Sequence, residues 1–201
     1  MFLKIADYLS ALPTDIPAER RAVLDPLVDY ISQKLAAGGV ARLVFICTHN
    51  SRRSHFGQVW AQVAALHFGV GPVECYSGGT ETTACNPRTV SALERAGIRA
   101  KQITGGENPV ILLQYADGLN PIAAFSKVYD QSPNPTRGFA AVMTCSQAEE
   151  NCPFVAGAEK RFSVMYEDPK IADGTPEEVA VYDARCREIA TEMAYVFRSL
   201  G

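Results

Sequence analysis

The residues most able to do chemistry together are Cys47 and Arg53, separated by five residues and followed by Ser54 in Cys47-Thr48-His49-Asn50-Ser51-Arg52-Arg53-Ser54. An apolar run, Leu43 to Ile46, ends abruptly at the cysteine, and a helical pattern opens just after the arginine. A buried strand feeding a tight loop and then a helix aims a row of backbone N–H groups and the positive end of a helix dipole at one point. A cysteine at the bottom of that cradle lies in a field that favours its thiolate. Arg53 supplies a planar fork suited to a tetrahedral oxyanion. The chemistry implied is attack by sulfur on a bound phosphate-like anion. No Gly-Lys-Ser/Thr follows a glycine-rich turn, so this is not a Walker-type nucleotide loop.

Other reactive groups occur further along. Cys145 and Cys152 stand in Thr144-Cys145-Ser146-Gln147-Ala148-Glu149-Glu150-Asn151-Cys152-Pro153, a polar segment behind an apolar run. Asp168 precedes Pro169, where a carboxylate is either a turn residue or a proton donor.

The elements that must position these groups are legible from periodicity. Strands are expected at 43–47, 73–77, 139–144 and 162–165, and helices from about Ser54 to Phe68, from Asn86-Pro87 to Ala96 with a stop at Gly97, and from Pro176 to about Leu200. This alternation predicts a parallel sheet with helices on both faces. The carboxyl ends of neighbouring parallel strands open on one crevice, so Cys47 and Cys145 are expected to face the same cleft. Residues 1–40 read as a helical extension: Thr14 can cap a helix starting near Asp15, Leu27, Ile31 and Leu35 form a stripe, and Pro26 starts or kinks a helix. Residues 105–137 interrupt the pattern and read as a hairpin insertion, with strands at Val110–Tyr115 and Phe125–Tyr129. Residues 41–201 would then form the main domain around that insertion.

The composition is ordinary for a folded chain of 201 residues, with 47% hydrophobic and 20% charged residues. A net charge of −3 argues against a nucleic-acid surface. No apolar run approaches ~18 residues, so no membrane partner is expected, and the charged N-terminus does not read as a secretory signal. A cytoplasmic location follows as the expectation. Six cysteines then read as catalytic, redox-active or buried rather than as a disulfide framework. Cys75 and Cys186 fall on core faces, and Cys85 reads as a loop thiol near the site. Without Cys-x2-Cys or His-x3-His spacing, no structural zinc is expected.

The Cys-x5-Arg-Ser loop between strand and helix resembles the low-molecular-weight protein tyrosine phosphatase superfamily and the arsenate reductases sharing its fold. Tyr76-Ser77-Gly78-Gly79-Thr80-Glu81 and Asn86-Pro87-Arg88 are similar to the same family. The resemblance implies a three-layer α/β fold on a four-stranded, mostly parallel sheet, carrying the N-terminal extension and the insertion. It implies that residues 48–54 (Thr48, His49, Asn50, Ser51, Arg52, Arg53, Ser54) bind the oxyanion, and that Asp168 is the general acid. The Cys145-x6-Cys152-Pro153 segment looks like the redox pair of thioredoxin-coupled arsenate reductases. In that reading Cys47 forms an adduct with arsenate, and electrons pass through Cys145 and Cys152 to thioredoxin or a similar dithiol protein. The alternative is a phosphomonoester or phosphotyrosine hydrolase using Cys47, Arg53 and Asp168. Lys170-Ile171 stands where many tyrosine phosphatases carry two tyrosines, which weakens a phosphotyrosine substrate. A third reading is a non-enzymatic redox or arsenical sensor. Gln58 replaces a carboxylate with which some arsenate reductases hold potassium, and no cofactor is expected. The oligomeric state is not legible.

Overall fold

The computed structural model describes residues 1–151 and 154–201. Four parallel strands make the central sheet: β1 (Ala41–Cys47), β2 (Val73–Gly79), β6 (Phe139–Met143) and β7 (Ala158–Ser163), in the order β2-β1-β6-β7. The two central strands, β1 and β6, are continuous apolar runs, as strands buried on both faces must be. Their register pairs Leu43 with Ala140 and Ile46 with Met143.

Alternation along β1 divides the core. Leu43 and Phe45 face a large layer built from α2 (Ala18–Ala36), α3 (Arg53–His67) and α6 (Glu178–Arg198), which contains the buried Trp60, Tyr182 and Phe197. Val44 and Ile46 face a thinner layer with Phe139, Ala141, Met143 and Ala148, covered by the short helix α5 (Ser146–Asn151). Helices therefore lie on both faces, unequally. Helix α4 (Pro87–Arg95) packs on α6 and starts as expected: the Asn86 side chain accepts the Arg88 N–H at 2.9 Å, with Pro87 in the first turn.

Three details differ from the sequence reading. Helix α2 begins after Pro17 rather than at a Thr14 cap, and it runs through Pro26 without ending. Of the two roles open to Pro26, starting a helix or sitting within one, the structure takes the second, and burial of Leu24, Leu27, Tyr30 and Ile31 holds the helix across the proline. The last sheet strand is 158–163, not 162–165. Ala158–Arg161 are polar edge residues that leave little apolar signal, while Val164 is buried beyond the strand.

The insertion does contain a hairpin, β4 (Ile111–Gln114) with β5 (Ile122–Ala124). It also recruits β3 (Arg99–Gln102), giving the antiparallel order β3-β4-β5. Residues 125–129 are not its second strand. They run beside the end of β2, where Gly79 N–H donates to the Lys127 carbonyl and Tyr129 N–H to the Gly79 carbonyl. The apolar content of that stretch serves a different neighbour from the one its pattern suggests.

The N-terminal helices, α1 (Leu3–Ser10) and α2, bury Ile5, Leu9, Leu24, Leu27 and Ile31 in the larger core layer. No helix among the described residues is long and apolar enough to cross a membrane.

One glycine fixes how closely α3 lies on the sheet. A Cβ on Gly57 would stand 2.4 Å from the ring of Phe45, which is fully buried on β1. Alanine ordinarily strengthens a helix interior. Here Gly57→Ala is expected to destabilise the protein by about 1–3 kcal/mol, because an overpacked core must shift to admit the methyl. Urea unfolding of the two proteins measures this, and a gain in stability would contradict the packing described.

Candidate active site

Cys47 ends β1, and residues 48–52 form a loop that enters α3. The carbonyls of Cys47, Thr48, His49 and Ser51 are each occupied by donors from outside the loop. Cys47 C=O accepts from Thr80 N–H, and Thr48 C=O from Glu81 N–H and the Thr80 hydroxyl. His49 C=O accepts from the hydroxyls of Ser126 and Thr83, and Ser51 C=O from Asn86 N–H and the Thr89 hydroxyl. With the carbonyls held outward, the N–H groups face the concave side. Among the described residues, none of the backbone N–H groups of 48–52 donates to a protein acceptor. The first turn of α3 adds its own free N–H groups. A ring of donors around a sulfur is an anion cradle.

Asn50 makes the tight turn possible, with φ of 44°. Its amide nitrogen donates to Ser54 Oγ at 2.9 Å, and its Oδ1 accepts the Lys127 N–H at 3.1 Å. Ser54 Oγ lies 3.1 Å from Cys47 Sγ. That oxygen accepts from Asn50 and keeps both a proton and a lone pair, so it can donate to the sulfur or accept from it. Gly79 allows the neighbouring strand to approach: a Cβ there would lie 2.6 Å from the Thr48 oxygen and 2.7 Å from the Asn50 nitrogen.

Arg53 and Asp168 come together from opposite sides of the cleft. Arg53 Nη2 donates to Asp168 Oδ2 at 2.6 Å, and Nη1 to the Tyr166 carbonyl at 3.1 Å. Its Nε is buried without a partner, a donor still free for an oxyanion. Arg52 donates to the Tyr182 hydroxyl at 2.8 Å, with Asp173 beside it at 3.5 Å and Asp168 Oδ1 3.9 Å from its Nε. Burial, then the hydrogen bond to Asp173, pushes the Tyr182 hydroxyl up to about 12, so it stays protonated and donates to Asp173. The Arg52 guanidinium thus lies at the rim of the cradle, while its main chain belongs to the loop.

Cys145 follows β6 as Cys47 ends β1. Thr144 N–H donates to the Ile46 carbonyl at 2.8 Å, which carries the register one step past the strands. The Cys145 sulfur lies 3.4 Å from the Thr48 hydroxyl and accepts the Ala148 N–H at 3.4 Å. A cavity of about 550 Å3 is lined by Cys145, Arg53, Tyr166 and Asp168, with Arg185 and Glu188 at its side. Cys152 lies outside the described residues.

The remaining candidates separate cleanly. His49 turns its ring outward to Glu81, 3.4 Å away, and contributes only its main chain to the loop. Cys85 is buried beside the loop, in the wall of a second cavity with His49, Ser51 and Arg52. Burial pushes its thiol up to about 12, does the same for Cys186, and raises Cys75 as well. No group of three or more His, Cys, Asp or Glu gathers to hold a metal among the described residues. Gln58 turns its amide N–H to the Cys75 carbonyl, and Lys127, a buried ammonium, lines the same cavity.

Comparison with known proteins bears on this geometry. The family model described as low molecular weight phosphotyrosine protein phosphatase matches residues 42–108, the stretch that begins at β1 and includes the whole cradle. Over this stretch the chain resembles the low-molecular-weight phosphatase superfamily. Among relatives of this superfamily it is similar to the arsenate reductase of Bacillus licheniformis, with 28% identity over 159 residues, 79% of this chain and 96% of that protein. It is also 27% identical to the arsenate reductase of Bacillus subtilis over 146 residues, 73% of this chain and 86% of that one. The fold matches the crystal structure of a YwlE mutant from Bacillus subtilis with a TM-score of 0.53 at 14% identity, covering 80% of this chain and 98% of the other.

Sequence reasoning missed Ser126 and Lys127, the two insertion residues that grip the loop, and the Tyr182–Asp173 pair that holds Arg52. All act across long sequence separations and carry no local signature.

The thiols should differ sharply in reactivity. At pH 8 a thiol held near 12 is ionised at roughly one part in 10⁴. Brief iodoacetamide treatment of the native protein is therefore expected to leave Cys75, Cys85 and Cys186 unlabelled by peptide mass mapping. Rapid labelling of Cys85 would show that its burial is not as described.

Proposed function

We propose that this chain reduces arsenate to arsenite. The single observation carrying the reading is the placement of Cys145, one register step from Cys47 and against the anion cradle. A hydrolase of this fold has no use for a second thiol there, whereas a reductase does. The kinship with curated arsenate reductases over most of their length supports it.

The proposed sequence begins with arsenate in the cradle, its charge met by the loop N–H groups and Arg53. The Cys47 thiolate attacks arsenic, an oxygen leaves, and Asp168 gives that oxygen a proton so that it departs as water. For this the oxyanion must draw Arg53 from its present bond to Asp168. Arsenic is still As(V). Cys145 then attacks the sulfur of the adduct: a sulfur–sulfur bond forms, the sulfur–arsenic bond breaks, and its electron pair stays with arsenic, which leaves as arsenite. In the next exchange Cys152 attacks Cys145, frees Cys47 as a thiolate, and leaves a Cys145–Cys152 disulfide. A thioredoxin-like dithiol protein, oxidised to its own disulfide, supplies the two electrons that reopen it.

The second reading, hydrolysis of phosphomonoesters, is favoured by the family model that spans the cradle. It uses Cys47, Arg53 and Asp168 alone, through a phospho-cysteine that water resolves.

The readings part at Cys145. Cys145→Ser is expected to abolish arsenate reduction with thioredoxin, thioredoxin reductase and NADPH present, while turnover of a small aryl phosphate persists. Cys47→Ser silences both. Arsenate reduction surviving in Cys145→Ser would refute the proposed electron path.

A further inference from the structure

Arg20 sits near the start of α2, far in sequence from any residue of the cradle, yet its guanidinium ends in the wall behind the acid-bearing segment. Its Nε donates to Glu192 Oε1 at 2.6 Å and its Nη2 to Oε2 at 2.7 Å. Glu192, on α6, is almost fully buried, and its Oε2 also accepts the Tyr166 hydroxyl at 2.7 Å. The Arg20 guanidinium lies over the Tyr166 ring, 5.4 Å from its centre. Tyr166 is itself buried; burial, then the Glu192 charge, holds its hydroxyl well above the usual tyrosine range, so it remains a donor.

The main chain of Tyr166 completes the link. Its N–H donates to the Thr144 carbonyl at 3.2 Å, just before Cys145, and its carbonyl receives Arg53 Nη1. Asp168 follows two residues later and holds the other end of the same guanidinium. A continuous path of short polar contacts therefore runs from Arg20 through Glu192 and Tyr166 to Arg53 and Asp168. A bidentate arginine is suited to this place, because it fixes the carboxylate in both position and orientation. A buried carboxylate that lost this partner would draw in water or swing away, and Tyr166 would lose its anchor.

We propose that Arg20 is a positioning residue for the reaction: through Glu192 and Tyr166 it sets where Arg53 and Asp168 stand in the cleft. The N-terminal helices thereby become part of the working enzyme rather than an appendage to it. The inference deepens the functional reading, since it rests on Arg53 and Asp168 serving a bound oxyanion.

The experiment compares the full-length protein with Arg20→Met and Arg20→Lys on two substrates, phenyl phosphate and p-nitrophenyl phosphate. Phenolate needs a proton to leave, while p-nitrophenolate leaves without one. Misplacing the acid should cut kcat on phenyl phosphate by about tenfold or more, a fraction of what general acid catalysis supplies, with a much smaller loss on p-nitrophenyl phosphate. Arg20→Lys should recover part of the difference. A purely structural role would lower the folded fraction and scale both substrates equally, and equal scaling would overturn the proposal. Tyr166→Phe keeps the Arg20–Glu192 pair and removes only the connecting hydroxyl. It should show the same leaving-group signature, and it decides the question if Arg20→Met does not fold.

A second measurement separates this inference from the functional reading. Inorganic phosphate should protect Cys47 from iodoacetamide in the parent protein, and severalfold more phosphate should be needed in Arg20→Met. Unchanged protection would count against Arg20. If the parent protein neither reduces arsenate nor hydrolyses either ester, the functional reading fails, and the protection assay alone decides the role of Arg20.

Discussion

The site depends on one constraint: the carbonyls of residues 47, 48, 49 and 51 must all face away from the ligand. A peptide loop cannot turn its N–H groups inward unless something outside receives or supplies the hydrogen bonds of its oxygens, since buried unpaired polar groups are costly. Here the supply comes from three directions: the turn after β2, the start of α4, and Ser126 from the insertion. Asn50 adds the one left-handed residue that closes the curve and then ties the curve to both Ser54 and Lys127. The shape of this loop is therefore a property of four chain segments, although only one of them lines its concave side.

The same economy governs the cleft. Two parallel strands deliver Cys47 and Cys145 to one edge of the sheet at nearly the same level, because hydrogen bonding between β1 and β6 forbids them to slip. Arg53 meanwhile bridges from the first turn of α3 to the segment after β7, gripping both the Tyr166 carbonyl and the Asp168 carboxylate. Without a ligand the guanidinium is thus already neutralised and oriented. Its Nε is buried without a partner, so in the proposed reading an entering oxyanion need displace only the carboxylate contact. Pre-organisation of this kind reduces the rearrangement that binding demands.

The two regions outside the family pattern both reach this machinery. The insertion forms a small antiparallel sheet with β3, yet its functional contribution is the return segment, where Ser126 and Lys127 close on the loop. The N-terminal helices pack into the larger core layer and send Arg20 to Glu192. Lys127 adds a buried positive charge; burial lowers it to about 8, and its charge, after burial itself, helps keep His55 neutral near 3.

Much of this was legible in the chain itself. The apolar run ending at Cys47, the Cys-x5-Arg-Ser spacing, and the Asn86-Pro87 helix start are local patterns, and local sterics and capping decide them. The apolar run of β6, followed two residues on by a second cysteine, was readable for the same reason. The course of α2 through Pro26, the polar edge strand at 158–163 and the docking of residues 125–129 on β2 were not readable, because burial against distant neighbours outweighed local preference in each case. The sequence by itself determined that a cysteine and an arginine share one strand-to-helix loop, since local spacing sets that, whereas the role expected of Asp168 came from the resemblance alone. Only the tertiary structure decided that Cys145 stands one register step from Cys47, that Arg53 meets Asp168 across the cleft, and that Arg20 backs them both. Those are contacts between residues as much as 172 positions apart, and hydrogen-bond register and buried charge pairing, rather than neighbouring residues, hold them in place.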